Sequence, residues 1–290
     1  MDWRLQVIKQ SLTCRVPFGD SLRRLKRQWL GYAPDAENLR YTLENFEQMK
    51  SELDAIERSF RGVILEIGTG WFPAIPLMLS TEGAEHVYMT DLNRHMDDIT
   101  FQATLDFLKE YRPDLKNLSS VRSLDEIPAT YLAPFDVSQV SDNSIDLITS
   151  RTVMEHVPRG DIVKLLSSLR PKLTPDGLMI HLIDNSDHLE FSDKSVSRVN
   201  FLTWSERKHS LINSLIKGGE NRLRHHEYPP IFERAGFDVV TERALVNKAT
   251  LDVIDSLDLA SPFSEMTPQQ LATLTSIFVL APSDGTRTQH

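Results

Sequence analysis

The stretch VILEIGTGWFP, Val63–Pro73, decides the fold of this chain. Four apolar residues and one acid are followed by a turn with two glycines, which is the pattern of a buried strand that leads into a backbone-lined binding turn. Trp71, Phe72 and Pro73 then occupy positions where a nucleotide-binding turn stays glycine-rich. The stretch therefore predicts a strand–turn unit that binds a ligand, and it leaves the role of the two aromatic residues to be explained.

Strand and helix patterns alternate on the C-terminal side of this unit. We predict strands at Val63–Ile67, His86–Thr90, Ser144–Ser150 and Leu178–Ile183, and helices at Ile75–Ser80, Asp97–Tyr111 and Asp161–Leu173. One more strand is expected either around Val121 or in the stretch leading to Phe135. Parallel strands need crossovers, and the crossovers cover both faces of the sheet. The pattern thus predicts an α/β, Rossmann-like, doubly wound sheet.

Both ends of the chain depart from this alternation. Apolar residues recur every three or four positions from Asp35 to Phe60, which predicts a helix with one buried stripe. A short helix at Ile231–Phe237 is followed by two late strands, FDVVTERALV and TSIFVLAP. We expect a helical N-terminal cap over residues 1–60, a core over 61–184, an insertion that forms a lid over 185–230, and the C-terminal part of the core sheet over 231–290.

Composition restricts the class of protein. The chain has 290 residues, 40% of them hydrophobic, and one cysteine, Cys14, so it can bury a full core but cannot form an intrachain disulfide. A net charge of −9 argues against a nucleic-acid partner. The basic run Arg15–Arg27 is either a solvated helix face or a patch for an anionic substrate or membrane surface. Without a secretory leader or an apolar span, the sequence is typical of a soluble, cytoplasmic protein.

The glycine turn distinguishes between classes of ligand. In an open parallel sheet, ligands bind at the carboxyl ends of the strands, where Gly68 and Gly70 let a ligand approach the backbone. Pro73 stands where a dinucleotide fingerprint has glycine, and the turn lacks the lysine of a phosphate-binding loop. The sequence therefore argues against a dinucleotide-binding turn and against a phosphate-binding loop.

Two acids accompany the turn. Glu66 lies inside the strand, where burial of an unpartnered carboxylate is costly, so it needs a cationic or hydrogen-bonding partner. Asp91 ends the next strand, where a carboxylate can bind two ribose hydroxyls, although aspartate is also common as a turn residue at strand ends.

The turn, the acid at the end of the second strand and DNSIDLITSRTVMEHV (142–157) together resemble the class I S-adenosylmethionine-dependent methyltransferases. The resemblance covers Gly62–Leu182 and continues weakly into the late strands, which are similar to the antiparallel hairpin that completes this family's seven-stranded sheet. It implies S-adenosylmethionine as the cofactor. The implied cofactor-binding residues are Glu66, Gly68, Thr69 and Gly70 near the methionine part, Asp91 and Leu92 near the ribose, Asp136 or Val137 near adenine, and Ser150 and Arg151 near the methionine amino and carboxylate groups. Phe72 departs from the pattern, since the family has a third glycine there.

Trp71 and Phe72 have two interpretations. Either Trp71–Pro73 turns away from the cofactor and closes the rear of the methyl-acceptor pocket, or the two rings pack beneath the N-terminal helix as core. A bulky residue is tolerated after the second glycine if its φ is negative.

Catalytic candidates follow the fifth strand. Alignment of the reactants supplies about 7–11 kcal/mol, and a hydroxyl acceptor also needs a general base. Asp184, His188 and His181 are the candidates for a histidine–aspartate base. A divalent-metal site made of Asp184, Asp187 and His188 is an alternative, as is an ordinary turn at Asn185–Asp187. We do not include a metal in the prediction.

Two further segments bear on the acceptor. The Glu–His pair at 155–156 is recurrent in the family that the chain resembles, and it implies a structural role for His156 near the cofactor. The run Asn221–Tyr228 either directs Arg222 and Arg224 to an anionic or sugar substrate or forms a lid helix with salt bridges to Glu227.

The expected function is O-methylation of a polar small molecule, sugar or glycan. HLIDNSDH, NFLTWS and NRLR also resemble a bacterial branch of these methyltransferases that is thought to serve glycan or small-molecule biosynthesis. The alternatives are an N- or RNA methyltransferase, an NAD(P)-dependent oxidoreductase, and a non-catalytic cofactor-binding scaffold. A homodimer is compatible with the sequence.

Overall fold

A computed structural model describes residues 2–14, 36–216 and 219–283 of the chain. The basic run Arg15–Arg27 lies outside the described residues. The strands are β1 (Gly62–Ile67), β2 (Ala84–Thr90), β3 (Ala129–Leu132), β4 (Ile145–Arg151), β5 (Leu173–Asp184), β6 (Phe237–Val246) and β7 (Thr273–Pro282). The described helices are α1 (Trp3–Cys14), α2 (Ala36–Asp54), α3 (Ala74–Glu82), α4 (Asp98–Tyr111), α5 (Arg159–Leu169), α6 (Glu206–Leu215), α7 (Pro229–Arg234), α8 (Lys248–Leu251) and α9 (Pro268–Ala272).

The strands form one seven-stranded sheet in the order β3-β2-β1-β4-β5-β7-β6. Strands β1 to β5 are parallel, and β7 is antiparallel to both β5 and β6. The predicted Rossmann-like sheet with an antiparallel C-terminal hairpin is confirmed. The strand order reverses between β1 and β4, which places the ligand-binding crevice at their carboxyl ends.

Apolar side chains cover both faces of the sheet, because successive residues of a strand point to opposite sides. On one face, Ile180 and Leu182 of β5 join a core cluster with Phe46 and Met49 of α2. On the other face, Met179 belongs to a second cluster that contains residues of α5 and α7. The long apolar runs of β1, β4 and β5 are therefore explained by burial on two sides.

The end of helix α2 differs from the sequence prediction, and the strand whose position was left open can be placed. Helix α2 ends at Asp54 rather than near Phe60, and the chain turns at Glu57, whose φ is 57°. Phe60 is nevertheless buried, with its ring 4.8 Å from that of Phe46, so the apolar period continued past the end of the helix. The uncertain strand is β3, in the stretch leading to Phe135, whereas Val121 lies in a loop.

The segment between β5 and α7 packs against the N-terminal helix. The rings of Trp3 and Trp204 stack at 5.2 Å, and the backbone N–H of Trp3 donates to Asp193 at 2.9 Å. Both tryptophans belong to a third apolar cluster together with Phe201 and Leu202. Within the described residues, every helix is too short or too polar to cross a membrane.

Candidate functional site

The glycine turn after β1 is bonded to β2. The N–H groups of Gly68 and Thr69 donate to the carbonyl of Thr90 at 2.8 and 3.0 Å, and Gly70 donates to Asp91 Oδ2 at 3.0 Å. Gly68 and Gly70 have φ values of 77° and 70°, which favour glycine. No atom outside the neighbouring residues lies within 4 Å of where a Cβ on Gly70 would stand. The turn thus has open space at Gly70 for a ligand.

Glu66 is buried beneath this turn. Its carboxylate accepts a hydrogen bond from the Thr69 hydroxyl at 2.5 Å, and Thr90 donates to its carbonyl at 2.7 Å. Burial raises the pKa of Glu66 to about 8, although the Thr69 hydrogen bond and the charge of Arg151 act in the opposite direction. The polar partner that the sequence required is therefore Thr69, with Arg151 as the nearby cation.

Asp91 ends β2 beside the turn, and His95 lies close to it, with 3.7 Å between His95 Nε2 and Asp91 Oδ1. The ring of Trp71 is 4.8 Å from that of His95. Phe72 packs against the core cluster that includes α2 residues. The structure thus favours the core interpretation for Phe72, and it places Trp71 on the Asp91 side of the turn rather than behind an acceptor pocket.

The residues implied at adenine and ribose border the same edge of the sheet. Leu92 is 80% exposed directly after Asp91, so it offers apolar surface to a ligand. Asp136 is exposed, and its side chain accepts hydrogen bonds from the hydroxyl and N–H of Ser138, which lower its pKa. Val137 is half-buried against the second core cluster.

Ser150 and His181 form a pair inside the sheet. The Ser150 hydroxyl lies 2.8 Å from His181 Nδ1, and both residues are fully buried. Burial lowers the pKa of His181 to about 3, which keeps the ring neutral. The ring lies on the face of Phe232, at 6.3 Å. A ring enclosed in this way does not reach an acceptor, so the geometry leaves Asp184 and His188 as the candidates for the base.

Arg151 connects the cofactor turn to the carboxyl end of β5. Its charge interacts with Glu66, Glu155 and Asp184, and its guanidinium lies 5.9 Å from the ring of Tyr41. Burial and the charge of Asp184 raise the pKa of Tyr41. Helix α2 therefore delivers a phenol hydroxyl to the site, which the sequence analysis missed because Tyr41 lies off the apolar stripe.

His188 lies between two buried carboxylates. Its Nε2 is 3.6 Å from Asp184 Oδ2, and its Nδ1 is 3.1 Å from Glu220 Oε1. Burial disfavours the charged ring, but the hydrogen bond with Asp184 and the charges of Glu220 and Glu155 outweigh it and raise the pKa of His188 to about 9. Burial likewise acts to raise the pKa of Asp184, yet the contact with His188 leaves it lowered. The predicted Asp184–His188 pair is thus present, with Glu220 as an additional member.

Glu155 adds a third acid to this group. It is 2% exposed, and neither carboxylate oxygen has a hydrogen-bond partner among the described residues. Burial and the charge of Asp184 raise its pKa to about 8. Ligand atoms of Glu155, His156 and His188 lie within 4.8 Å of one another, a spacing that a metal ion could draw together.

Asp187 is not part of that group. Its carboxylate accepts hydrogen bonds from the N–H groups of Leu189 at 2.9 Å and Phe201 at 2.8 Å. Burial raises the pKa of Asp187. Its role is to hold the chain after β5, so the alternative metal site of Asp184, Asp187 and His188 is not assembled.

A cavity of about 510 Å³ opens beside this group, between α6 and the turn that follows β4. Most of the residues that line it have polar side chains, among them His156, Arg159, His209, Asn213, Glu220 and Asn221, and Leu223, Pro262 and Phe263 add apolar surface. Glu220 therefore contacts His188 and borders the cavity.

The two arginines of the polar run are both buried, and the segment forms a short turn rather than a lid helix. Arg222 donates to the carbonyls of Phe201 and Trp204 at 3.0 and 2.7 Å and pairs with Glu206. Arg224 donates to the carbonyl of Asn185 at 2.7 Å. These contacts attach the segment to the end of β5. They also occupy guanidinium N–H groups that could otherwise donate hydrogen bonds to a substrate.

Comparison with known proteins agrees with this architecture. The magnesium protoporphyrin IX methyltransferase ChlM of Synechocystis PCC 6803, solved with bound SAH, is 15% identical, with 94% of this chain and 100% of that chain covered and a TM-score of 0.52. An S-adenosylmethionine-dependent methyltransferase of Mesorhizobium loti is 13% identical, with coverage of 79% and 95% and a TM-score of 0.44. At 15% identity, the likeness to ChlM concerns the fold alone.

No curated protein matches the sequence. A family model described as a methyltransferase domain matches residues 36–242, which is more than half of the chain. The chain therefore belongs to this methyltransferase-domain family and has the class I S-adenosylmethionine-dependent methyltransferase fold.

Proposed function

We propose that this methyltransferase methylates a hydroxyl oxygen of a polar small molecule, sugar or glycan. The observation that carries the proposal is the polar cavity of about 510 Å³ whose lining residue Glu220 contacts His188. Histidine, asparagine, glutamate and arginine side chains border it, so donors and acceptors of hydrogen bonds are both present. Such a lining suits an acceptor with several hydroxyl groups.

S-adenosylmethionine supplies the methyl group, on a sulfonium. In the proposal, its binding residues are those that the resemblance implied: Glu66, Gly68, Thr69, Gly70, Asp91, Leu92, Asp136, Val137, Ser150 and Arg151. Three features fit such a ligand: the open space at Gly70, the exposed apolar surface of Leu92, and the carboxylate of Asp91 between them. Ser150 contributes through its backbone, since its hydroxyl is bonded to His181.

Asp184 and His188 serve as the base in this proposal. The two side-chain atoms that face each other, Asp184 Oδ2 and His188 Nε2, are 3.6 Å apart. His188 Nε2 is buried and neither residue lines the cavity, so the proposal requires the surrounding side chains to move apart before a hydroxyl oxygen reaches the pair. Asp184 remains ionised because its pKa is lowered. Its charge stabilises the imidazolium that forms when the neutral fraction of His188, which grows as the pH approaches 9, takes the hydroxyl proton.

The first experiment is isothermal titration of the protein with S-adenosylmethionine, its demethylated product and NAD⁺. We expect micromolar binding of the first two, about −8 kcal/mol, and no heat with NAD⁺. Production of S-adenosylhomocysteine is then measured with a panel of sugars, sugar acids and amines. Failure of both sulfur ligands to bind would reject the proposal in favour of a scaffold.

A second candidate, N-methylation of an amine, is favoured by one observation. Glu155, Asp184 and Glu220 are three buried acids around a single histidine, and an ammonium group would compensate their charge. Turnover with amines and none with sugars in the same panel would select this candidate.

A further inference from the structure

We infer that Glu220 is a positioning residue that holds His188 as the general base, an inference that rests on the proposed function. Glu220 belongs to the segment between β5 and α7, 32 residues beyond His188 in the sequence. A histidine that acts as a base needs one ring nitrogen protonated and held so that the other is free to take a proton.

The contact has the geometry of such a pair. Glu220 Oε1 lies 3.1 Å from His188 Nδ1, and the same oxygen accepts the backbone N–H of His188 at 3.3 Å. One carboxylate oxygen thereby fixes both the ring and the main chain. In the neutral ring, which His188 reaches only as the pH approaches its pKa of about 9, the proton stays on Nδ1 and the lone pair of Nε2 faces Asp184 Oδ2 at 3.6 Å.

Glu220 is itself held in place by its surroundings. Its carbonyl lies 2.9 Å from His209 Nε2 and accepts the Asn213 amide at 3.0 Å, both from α6. The next residue, Asn221, donates its N–H to the carbonyl of Glu155 and its side-chain amide to the carbonyl of Met154, at 2.7 and 2.8 Å. The carboxylate is therefore anchored to α6 and to the turn after β4, as a preorganised site requires.

The step that this pair supports is balanced. The hydroxyl oxygen of the acceptor bonds to the methyl carbon, the carbon–sulfur bond breaks with its electron pair left on sulfur, and the hydroxyl proton moves to His188 Nε2. Glu220 accepts the hydrogen bond from Nδ1–H throughout. Burial raises the pKa of Glu220 to about 7, and above that pH its charge also stabilises the imidazolium. It touches neither reactant, so its effect is exerted through His188.

Several charged groups face the ring of His188. Asp184 and Glu220 contact it, Glu155 and Asp187 act on it through their charges, and the ring of His156 lies 4.9 Å away. Loss of the Glu220 charge should lower the pKa of His188 from its value of about 9. Protonation of His188 would then be less favourable, even though the charges of Asp184, Glu155 and Asp187 remain.

The test is nuclear magnetic resonance of ¹⁵N-histidine-labelled full-length protein, with the His188 signals assigned by their loss in His188→Asn. Glu220→Gln keeps an acceptor oxygen but removes the charge, so the pKa of His188 should fall by about one unit, a tenfold loss of proton affinity, with the Nδ1–H tautomer kept. Glu220→Ala should also abolish the tautomer preference. Glu242→Gln, at the exposed Glu242 next to His225, is the matched control and should leave His188 unchanged.

An unchanged titration and tautomer of His188 in folded Glu220→Gln would overturn the inference. S-adenosylmethionine titrations on the same samples separate the two proposals. If wild type and variant both bind the cofactor but His188 is unaffected, the pairing is wrong and the methyltransferase proposal stands. If neither binds it, the function proposal fails, and the resonance data still decide whether Glu220 controls His188. With an identified acceptor, the rise of kcat with pH should occur about one pH unit lower in Glu220→Gln than in wild type, and the KM for S-adenosylmethionine should stay unchanged.

Discussion

Gly70 donates its backbone N–H to Asp91 across 3.0 Å, so the turn after β1 is bonded to the acid that ends β2. The two residues are 21 positions apart in sequence. Strand pairing brings them together, since Glu66 and Ile67 of β1 lie beside Met89 and Thr90 of β2. Strand pairing therefore holds the proposed cofactor turn and the proposed ribose acid side by side.

Replacement of Asp91 tests this arrangement. Asp91→Ala should weaken S-adenosylmethionine binding about 10- to 100-fold, because hydrogen bonds to a charged group are worth about 1.5–3 kcal/mol. Isothermal titration measures the change. Asp98→Ala, at the exposed first residue of α4, is the control and should bind normally. Equal affinities for wild type and Asp91→Ala would remove Asp91 from the site.

The two glycines of the turn should respond differently to alanine. A Cβ on Gly68 would lie 2.5 Å from Val153 Cγ2, whereas one on Gly70 meets open space. Both variants bear the backbone cost of positive φ, about 1–2 kcal/mol. Gly68→Ala should therefore lose more unfolding free energy than Gly70→Ala, while Gly70→Ala should lose cofactor binding through the methyl group in the ligand space. Urea denaturation and titration separate the two effects, and identical losses of stability would contradict the packing at Val153.

Glu66 should make stability depend on pH. Its pKa rises from 4.5 to about 8 on folding, so between these values the folded protein binds a proton that the unfolded chain has lost. By linkage, the Glu66 contribution to the unfolding free energy falls as pH rises from 4.5 to 8. Glu66→Gln removes this dependence. Urea melts at pH 6 and pH 8 should show the variant gaining stability relative to wild type at the higher pH, and a constant difference would argue against a protonated Glu66.

Loss of the base should separate catalysis from binding. Asp184→Asn and His188→Gln should reduce turnover of an identified hydroxyl acceptor about 10²- to 10⁴-fold, while S-adenosylmethionine binds as in wild type. Formation of S-adenosylhomocysteine is the measure. The exposed His226→Gln is the matched control. Full activity in His188→Gln would exclude it as the base.

Chelation should have no effect on the enzyme. Both ring nitrogens of His188 already face carboxylates, at 3.1 and 3.6 Å, although its ligand atoms lie near those of Glu155 and His156. EDTA should leave cofactor binding and turnover unchanged. A loss of turnover on chelation that Mn²⁺ or Zn²⁺ restores would show that the Glu155–His156–His188 group holds a metal.

Long apolar runs made the fold predictable. Strands β1, β4 and β5 carry buried apolar residues on both faces, so apolar residues stand side by side in the sequence, as in Val63–Leu65 and Leu178–Ile180, and indicate where the strands lie. Strand β3 was harder to place because it has four residues at the edge of the sheet and none of them is fully buried. The predicted helix extended too far toward Phe60. The side chain of Phe60 continues the apolar spacing of the helix, although the backbone has already turned.

The site was less predictable than the sheet. Asp184 and His188 are four residues apart, and local sequence was enough to suggest their pairing. Glu220 and Tyr41 come from distant segments, and only packing brings them to the end of β5. His181 was predicted as a catalytic candidate from its residue type and position. The structure instead buries its ring beside Ser150, which the local sequence does not indicate.

The stacking of Trp3 on Trp204 has a consequence for the order in which parts of the protein can fold during synthesis. Trp3 also bonds Asp193, 190 residues later, so the ribosome must add about two-thirds of the chain before these partners exist. Domains acquire structure during synthesis from the N-terminal end, but contacts of such separation have to wait. The first helix is therefore synthesised well before the segment against which it packs.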